Sequence, residues 1–410
     1  MIGAVVLRYN GDSRSLHAAV AALLNTTDHQ QLLIGDVLLV DNASTVDPGA
    51  VDLVAASFSH VAADGQPLVR VHRRQRNDGF AAGNNDGIAH LRPSCDLVLI
   101  HNDDATLALG AVRLLHDALR AAPPEVISVG PKTFIAHEEG LLDSIGMAVN
   151  ARGEAKNVGL GQLDLGQFDS SSTDGTTEIF GPCFAVALVR RNAFTANQVG
   201  PLPEEYFLYY EDVEWNWRAR RLGKRSLCVT SAHAFHQMSS SSRASKLGLA
   251  DAERAYQFKH RCIERNLLLT GAELLPARAA AALWLHRWPR LVKAGITGRF
   301  PKASVLAAGD ALTRLPRTLL RRRDLVKRSM GSAVEPLSFW TDEPIFFDPV
   351  TYTPKRSWEA LSAAAKRTGI VELVAACEQH NSQALIDASR TALSADRAAS
   401  VERYLDRLDT

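Results

Sequence analysis

The sequence predicts an α/β fold, a mostly parallel sheet flanked by helices, with a helical C-terminal extension. Three observations predict it. Short apolar runs of strand length alternate with helical patterns from Ile2 to Val129. Polar clusters follow the first, second and fourth of these runs, at the strand ends where parallel sheets bind ligands. Beyond Gly271 the composition turns Ala-rich, Trp-containing and basic.

Ile2 to Leu7 is the first strand, followed by the loop Arg8-Tyr9-Asn10-Gly11-Asp12 and a helical pattern from Ser13 to Leu24. Asp36 to Val40 predicts a second buried strand ending in Asp41-Asn42-Ala43-Ser44, and Leu68 to Val71 a third. After the third comes a Gly- and Asn-rich stretch, Asn77 through Gly87. It reads either as a turn and helix cap or as backbone that must approach a bulky polar ligand. Asp96 to Ile100 predicts a fourth strand ending in His101-Asn102-Asp103-Asp104; Leu107 to Ala121 is helical and Val126 to Val129 is a fifth strand. Pro131 to Thr177 is rich in Gly, Ser and Asp and predicts hairpins and loops, with a mobile tip from Asp164 to Gly175. Ile179 to Val189 restores a core strand.

Phe207-Leu208-Tyr209-Tyr210 then reads as an aromatic strand that delivers Glu211, Asp212 and Glu214 to the start of a helix. Acidic residues there serve either as caps or as chemistry. Trp215 and Trp217 offer a stacking face for a sugar or ordinary core packing. Another apolar run ends at His236, ahead of a serine run. Tyr256 to Leu269 is helical, Pro336 to Pro354 a linker, and Ser357 to Leu408 a few amphipathic helices. The expected division is a catalytic domain 1–270, a basic amphipathic helical segment 271–330, and a linker with a small helical extension 331–410.

The net charge of +1 hides an asymmetry: thirteen Lys/Arg stand against two Asp between Arg278 and Arg328, and the rest of the chain is acidic. Such a segment meets phosphates, and Trp284 and Trp288 beside basic residues, with Arg321-Arg322-Arg323 and Lys327-Arg328, point to an anionic membrane surface. No uncharged stretch reaches the length of a spanning helix. An acidic main body without a base-reading module predicts no nucleic-acid partner. Five scattered cysteines with no CxxC pair, and no basic leader before the first strand, predict a reduced cytoplasmic chain, peripheral at the inner face of the membrane.

Taken together, Val40 to Ser44, Asn77-x-Gly79-Phe80-x-x-Gly83-Asn84-Asn85, Leu99 to Asp104, Gly181-Pro182-Cys183-Phe184, Phe207 through Arg218 and His236 resemble, in order, the inverting nucleotide-sugar glycosyltransferases of family 2 with the GT-A (Rossmann-like) fold. Glu211 to Arg218 and Arg265-Asn266 are similar to the rhamnosyl- and galactofuranosyl-transferase-like branch. The resemblance covers about residues 2–270. It implies that Asp212 is the general base with Glu211 beside it. Asp104 and His236 would hold Mg2+ or Mn2+, with His233 a lesser candidate. Tyr9, Asn10, Asp41, Asn77, Gly79, Asn84 and Asp103 would bind a nucleotide diphosphate-sugar donor. Arg8 stands where the family carries a small hydroxyl residue, and Asp103 where it carries Asn or Pro. Arg265 is expected either on phosphate or in a surface ion pair. The implied partners are the donor and a glycan or lipid-linked glycan acceptor, with homo-oligomerisation left open. Two other classes stay open: a sugar nucleotidyltransferase, against which the loop after the first strand speaks, and a non-catalytic glycan-binding protein.

Overall fold

The structure is a computed structural model that describes residues 1–25, 33–170, 172, 174–238, 249–297, 301–329, 336–340, 345–348 and 353–408. The serine run after His236, part of the expected tip between Asp164 and Gly175 and much of the linker lie outside those residues.

The chain runs β1 (Ile2–Arg8), α1 (Ser13–Leu24), β2 (Ile34–Asp41), α2 (Ala50–Ala56), β3 (Val69–Arg73), α3 (Phe80–His90), β4 (Leu97–Asn102), β5 (Ala105–Leu107), α4 (Ala111–Ala121) and β6 (Val126–Ile135). The short strands β7 (Leu142–Ser144), β8 (Met147–Val149), β9 (Ala155–Asn157) and β10 (Thr176–Ile179) follow, then β11 (Val186–Arg190), α5 (Glu211–Arg221) and β12 (Arg225–His236). The main sheet has the order β10-β12-β6-β11-β4-β1-β2-β3. β4, β1, β2 and β3 are parallel, as are β6 and β12; β11 is antiparallel between the two groups.

The sheet is buried because both faces are covered, and strand alternation decides which side chain goes where. Ala4, Val6, Val37, Leu39, Leu97 and Leu99 pack with α1, α2 and α4. Val5, Leu38, Val40, Val98 and Ile100 pack with Ala81 and Ile88 of α3 and Trp215 of α5. The fold class expected from the sequence is therefore present.

Three local expectations change. β6 runs on to Ile135, since its second half is paired on both sides, by β12 and β7. The run Ile179 to Val189 is split between β10 and β11, and Gly181 at the break sits against Asn216, whose side chain leaves no space for a Cβ. The aromatic run is not a strand. A turn at Glu204–Tyr206 leads into Phe207, Tyr209 and Tyr210 with φ of 65°, 67° and 70°.

Helices α6 (Leu249–Leu274), α7 (Ala277–Thr297) and α8 (Pro301–Arg328) pack on this loop and on α5, burying Tyr206, Trp217, Leu268, Leu283 and Leu325 in one cluster. The expected boundary after residue 270 falls inside α6. Four further helices, Trp358–Thr368, Val371–Glu378, Ser382–Ala392 and Ala395–Asp406, pack on Ile135, Leu141, Leu163 and Leu165. Among the described residues no helix is long and apolar enough to cross a membrane, and the five cysteines are unpaired.

Candidate active site

The polar clusters after β1, β2 and β4 lie together because β1 is paired to both other strands along its length, with Arg8 opposite Asp41 and Leu7 opposite Asn102. Asn10, at φ 55°, latches two of these loops: its side-chain oxygen accepts from Thr45 N and Val46 N at 2.8 and 2.9 Å, and its own N–H donates to Ser44 Oγ. Asp41 is buried between two guanidinium groups, Arg8 at 3.6 Å and Arg73 at 3.3 Å. Arg8 is itself fully buried and donates to Gly11 O and Val46 O, while its Nε and Nη1 have no hydrogen-bond partner among the described residues. Tyr9 is exposed at the rim. A Cβ on Gly11 would meet the Asp103 carboxylate at 1.7 Å, so glycine lets the β1 loop approach the end of β4.

Asn77 and Gly79 shape the neighbouring wall. Asn77 Oδ1 accepts from Asn42 Nδ2 and from Gly79 N. Gly79 has φ 94° and ψ −178°, a conformation reserved to glycine. Phe80 N then donates to Phe207 O at 2.6 Å, which joins this wall to the loop before α5. Asn84 is fully buried within α3 and donates to Phe80 O one turn back.

Asp104 and His236 come from residues far apart in the chain. β5 pairs antiparallel with the end of β12, His236 opposite Ala105, and Gln237 N donates to Asp104 O. His236 Nε2 lies 3.3 Å from Asp104 Oδ1. Its Nδ1 donates to Asp143 Oδ2 at 2.9 Å, and the other oxygen of Asp143 accepts from Asn157. Burial works against a charged imidazole, but Asp104 and Asp143 outweigh it and hold the His236 proton well above the ordinary histidine range. Asp143 lies in the stretch read as loops, where nothing in the residue pattern distinguished it. His101, behind this pair on β4, is fully buried, and burial pushes it down to about 4. His233 lies edge-on against Phe134, its proton affinity lowered by burial and by Lys132.

A carboxylate oxygen and an imidazole nitrogen at this separation, with a second carboxylate on the far ring nitrogen, are donor types that a divalent cation takes. Asp104 and His236 therefore fit Mg2+ or Mn2+, and two protein ligands leave positions for phosphate oxygens and water. Among the described residues, the group of three with ligand atoms within 4.8 Å of one another is instead His72, Asp86 and His90. There Arg74 Nε already sits 3.0 Å from the Asp86 carboxylate.

Glu211 and Asp212 open α5. Asp212 accepts from Val213 N at 2.8 Å and Phe184 N at 3.5 Å. Glu211 is buried, and among the described residues its Oε2 has no hydrogen-bond partner. Burial, then the Asp212 charge, pushes Glu211 well above the carboxylate range; burial raises Asp212 as well, against its backbone donors. Glu214 faces elsewhere, in a two-pronged pair with Arg218 at 2.7 and 2.8 Å. Burial, then the charges of Asp212, Asp143 and Glu211, pushes the Cys183 thiol well above its ordinary range.

Trp215 and Trp217 are core residues, Trp215 stacked on Phe194 and bonded to Gly200 O, Trp217 edge-on to Phe180. Arg265 is not in a surface pair: it is buried, donates to Tyr206 O and lies 3.9 Å from Asp310. A cavity of about 650 Å³ opens at the opposite ends of the strands, lined by Leu91, Pro93, Asp96 and Arg190 among others, and includes none of the candidate residues.

No family model and no curated protein matches the chain. Solved structures with loose similarity include GalNAc-T7 with UDP, GalNAc and Mn2+ (14% identity, TM-score 0.46), where the match covers 58% of this chain and 43%, under half, of that one. A mannosyltransferase from Pyrobaculum calidifontis with GDP-Man and Mn2+ matches at 16% identity and TM-score 0.43, over 80% of this chain and 85% of that one. TarS residues 1–349 from S. aureus match at 12% identity and TM-score 0.41, over 99% and 91%.

Proposed function

We propose that the chain is a metal-dependent inverting glycosyltransferase. It moves a hexose or a deoxyhexose such as rhamnose from a nucleotide diphosphate-sugar to a hydroxyl of a growing cell-surface or lipid-linked polysaccharide. The observation that supports this reading is a pair of carboxylate-bearing centres: Asp104–His236 with Asp143 behind it at the end of the sheet, and Glu211–Asp212 at the start of α5, where Glu211 is buried.

Direct displacement at an anomeric carbon needs one base and no covalent nucleophile. Asp212 takes the proton of the acceptor hydroxyl as that oxygen attacks, and the bond to the diphosphate breaks with its electron pair on the leaving oxygen. The raised affinity of Asp212 for a proton, set by burial, suits that task. Asp104 and His236 would hold a divalent cation, which would neutralise charge on the departing diphosphate. Asp41, Asn10 and Tyr9 form the nucleoside end, with the 77–79 wall and Asp103 between it and the diphosphate. A lipid-linked acceptor stays in the bilayer while the donor is soluble, which sets such an enzyme at the inner membrane face.

The test is a panel of nucleotide diphosphate-sugars with Mn2+ or Mg2+, read as nucleotide diphosphate released. Release from one donor, lost in Asp212→Asn, is expected. Release of a diphosphate from a sugar phosphate and a nucleoside triphosphate would instead make it a nucleotidyltransferase, and binding without turnover a glycan-binding protein.

A further inference from the structure

Helices α7 and α8 are adjacent along their length: Trp288 donates to Ala308 O, and Gly295 lies against Val305. Their inner faces are buried against α6 and the catalytic body, through Leu283, Leu291, Ala311 and Leu325. Their outer faces are apolar. On α7, Leu285, Val292 and Ile296 fall at helical spacing, with Leu285 75% and Ile296 79% exposed. On α8, Val305, Leu312, Leu319 and Val326 repeat every seven residues, all exposed, and Leu320 beside them is 61% exposed.

The exposed charges of these two helices are almost all basic. Eight Lys/Arg of the two helices are exposed, against Asp324 alone among the acids. The arginines that the sequence singled out are not all among them. Arg321 pairs with Glu205 and Glu273, and Arg322 donates to the carbonyls of Ala272 and Leu275 that end α6. Lys293, Arg323 and Lys327 remain at the surface.

We propose that the α7–α8 hairpin docks on an anionic lipid bilayer, its apolar ridge entering the headgroup boundary and its exposed basic side chains meeting the lipid phosphates. Such a surface needs an apolar face that water does not satisfy and cations at its margin. A second copy of the chain is the competing occupant, and charge decides against it: two such faces would bring like charges together. The proposal is independent of glycosyl transfer, since its test reads binding alone.

The test is co-sedimentation of the full chain with vesicles of phosphatidylcholine, with and without phosphatidylglycerol, and light scattering of the chain alone. Binding is expected only with phosphatidylglycerol, and it should fall as salt rises. The double variant I296S/L320S and the triple variant K293E/R323E/K327E should each weaken it by about tenfold or more. Their melting temperatures should stay near that of the wild type, because the changed side chains are at the surface. Equal binding to both vesicles, binding to neither, or a dimer that I296S/L320S dissociates would each overturn the proposal.

Discussion

Asp143 holds the Nδ1 edge of His236 at 2.9 Å, so that Nε2 faces Asp104. The strand pairing makes this relationship: β12 and β7 flank β6, and β5 returns Asp104 to the end of β12. Orienting carboxylates behind metal-bound histidines set both tautomer and basicity. Asp143→Ala should therefore weaken Mn2+ binding, read by electron paramagnetic resonance with a nucleoside diphosphate present, by about 10–100-fold. Asp143→Asn keeps an oxygen acceptor and should lose less. Equal Mn2+ affinity in all three proteins would remove Asp143 from the site.

Chelation tests the other side of that pair. With Asp104 and His236 as the cation ligands, EDTA should abolish turnover and Mn2+ or Mg2+ should restore it. Asp104→Ala should lower the affinity for a nucleoside diphosphate in the presence of Mn2+ and leave it little changed in EDTA. Full turnover in excess chelator would mean that fixed cationic groups neutralise the leaving group instead.

The adjacent carboxyls of Glu211 and Asp212 make a prediction about pH. Both carboxyls bind protons more tightly in the fold than in the unfolded chain, burial being the first cause for each. An acid whose folded affinity is raised adds stability below its ordinary range near 4, and that stability is lost as pH rises through the raised value. Glu211→Gln keeps the shape without the charge, so it should flatten the loss of melting temperature with rising pH above about 4.5. Asp212→Asn should keep donor binding and lose about two or more orders of magnitude in turnover. Turnover near normal in Asp212→Asn would move the base to Glu211, since Glu214 is taken up by Arg218.

The legible part of the sequence is what local pattern can carry. Buried strands such as Val37 to Val40 and Leu97 to Ile100 announce themselves by unbroken apolar runs, and the clusters at their ends follow. Asp143 and Asn157 were illegible because short strands in a Gly-rich stretch have no period, and their role exists only through long-range pairing. The aromatic run misled for a related reason. Phe207 to Tyr210 has the composition of a strand, but tertiary contacts override that preference and hold three of its residues at positive φ. Arg321 and Arg322 misled because composition counts charges and does not say which way they face.

Gly79 is a second point where that loop is held. A Cβ at this position would lie 2.0 Å from Phe207 O, and its φ of 94° strains any other residue. Gly79→Ala should cost roughly 1–3 kcal/mol from backbone strain, with the clash added to it. It should lower both the melting temperature and turnover, because the displaced segment leads directly into Glu211 and Asp212. An alanine variant with wild-type melting and turnover would show that the two loops do not need each other.

The strained loop is clamped from behind by Asn266 on α6. Its single amide nitrogen faces three carbonyls, Tyr206 O at 3.1 Å, Leu208 O at 3.0 Å and Tyr209 O at 2.6 Å, and Arg265 also donates to Tyr206 O. Phe207, Tyr209 and Tyr210 hold φ values near 65–70°, which side-chain-bearing residues adopt only when their surroundings insist. Asn266 is fully buried, so the carbonyls it serves have no water to turn to. Asn266→Asp is nearly the same size but cannot donate, and it sets a carboxylate against carbonyl oxygens. Asn266→Ala removes the donor and leaves space. Both should release the loop and misplace Asp212, lowering kcat by about tenfold or more, while the nucleoside diphosphate site proposed at the ends of β1, β2 and β4 keeps its affinity. Asn266→Asp should be the worse of the two, and its deficit should shrink at low pH, where a protonated carboxyl can donate again. Loss of donor binding in step with kcat would mean that Asn266 serves the fold as a whole; intact kcat in Asn266→Ala would mean that Arg265 and Gly79 suffice to hold the loop.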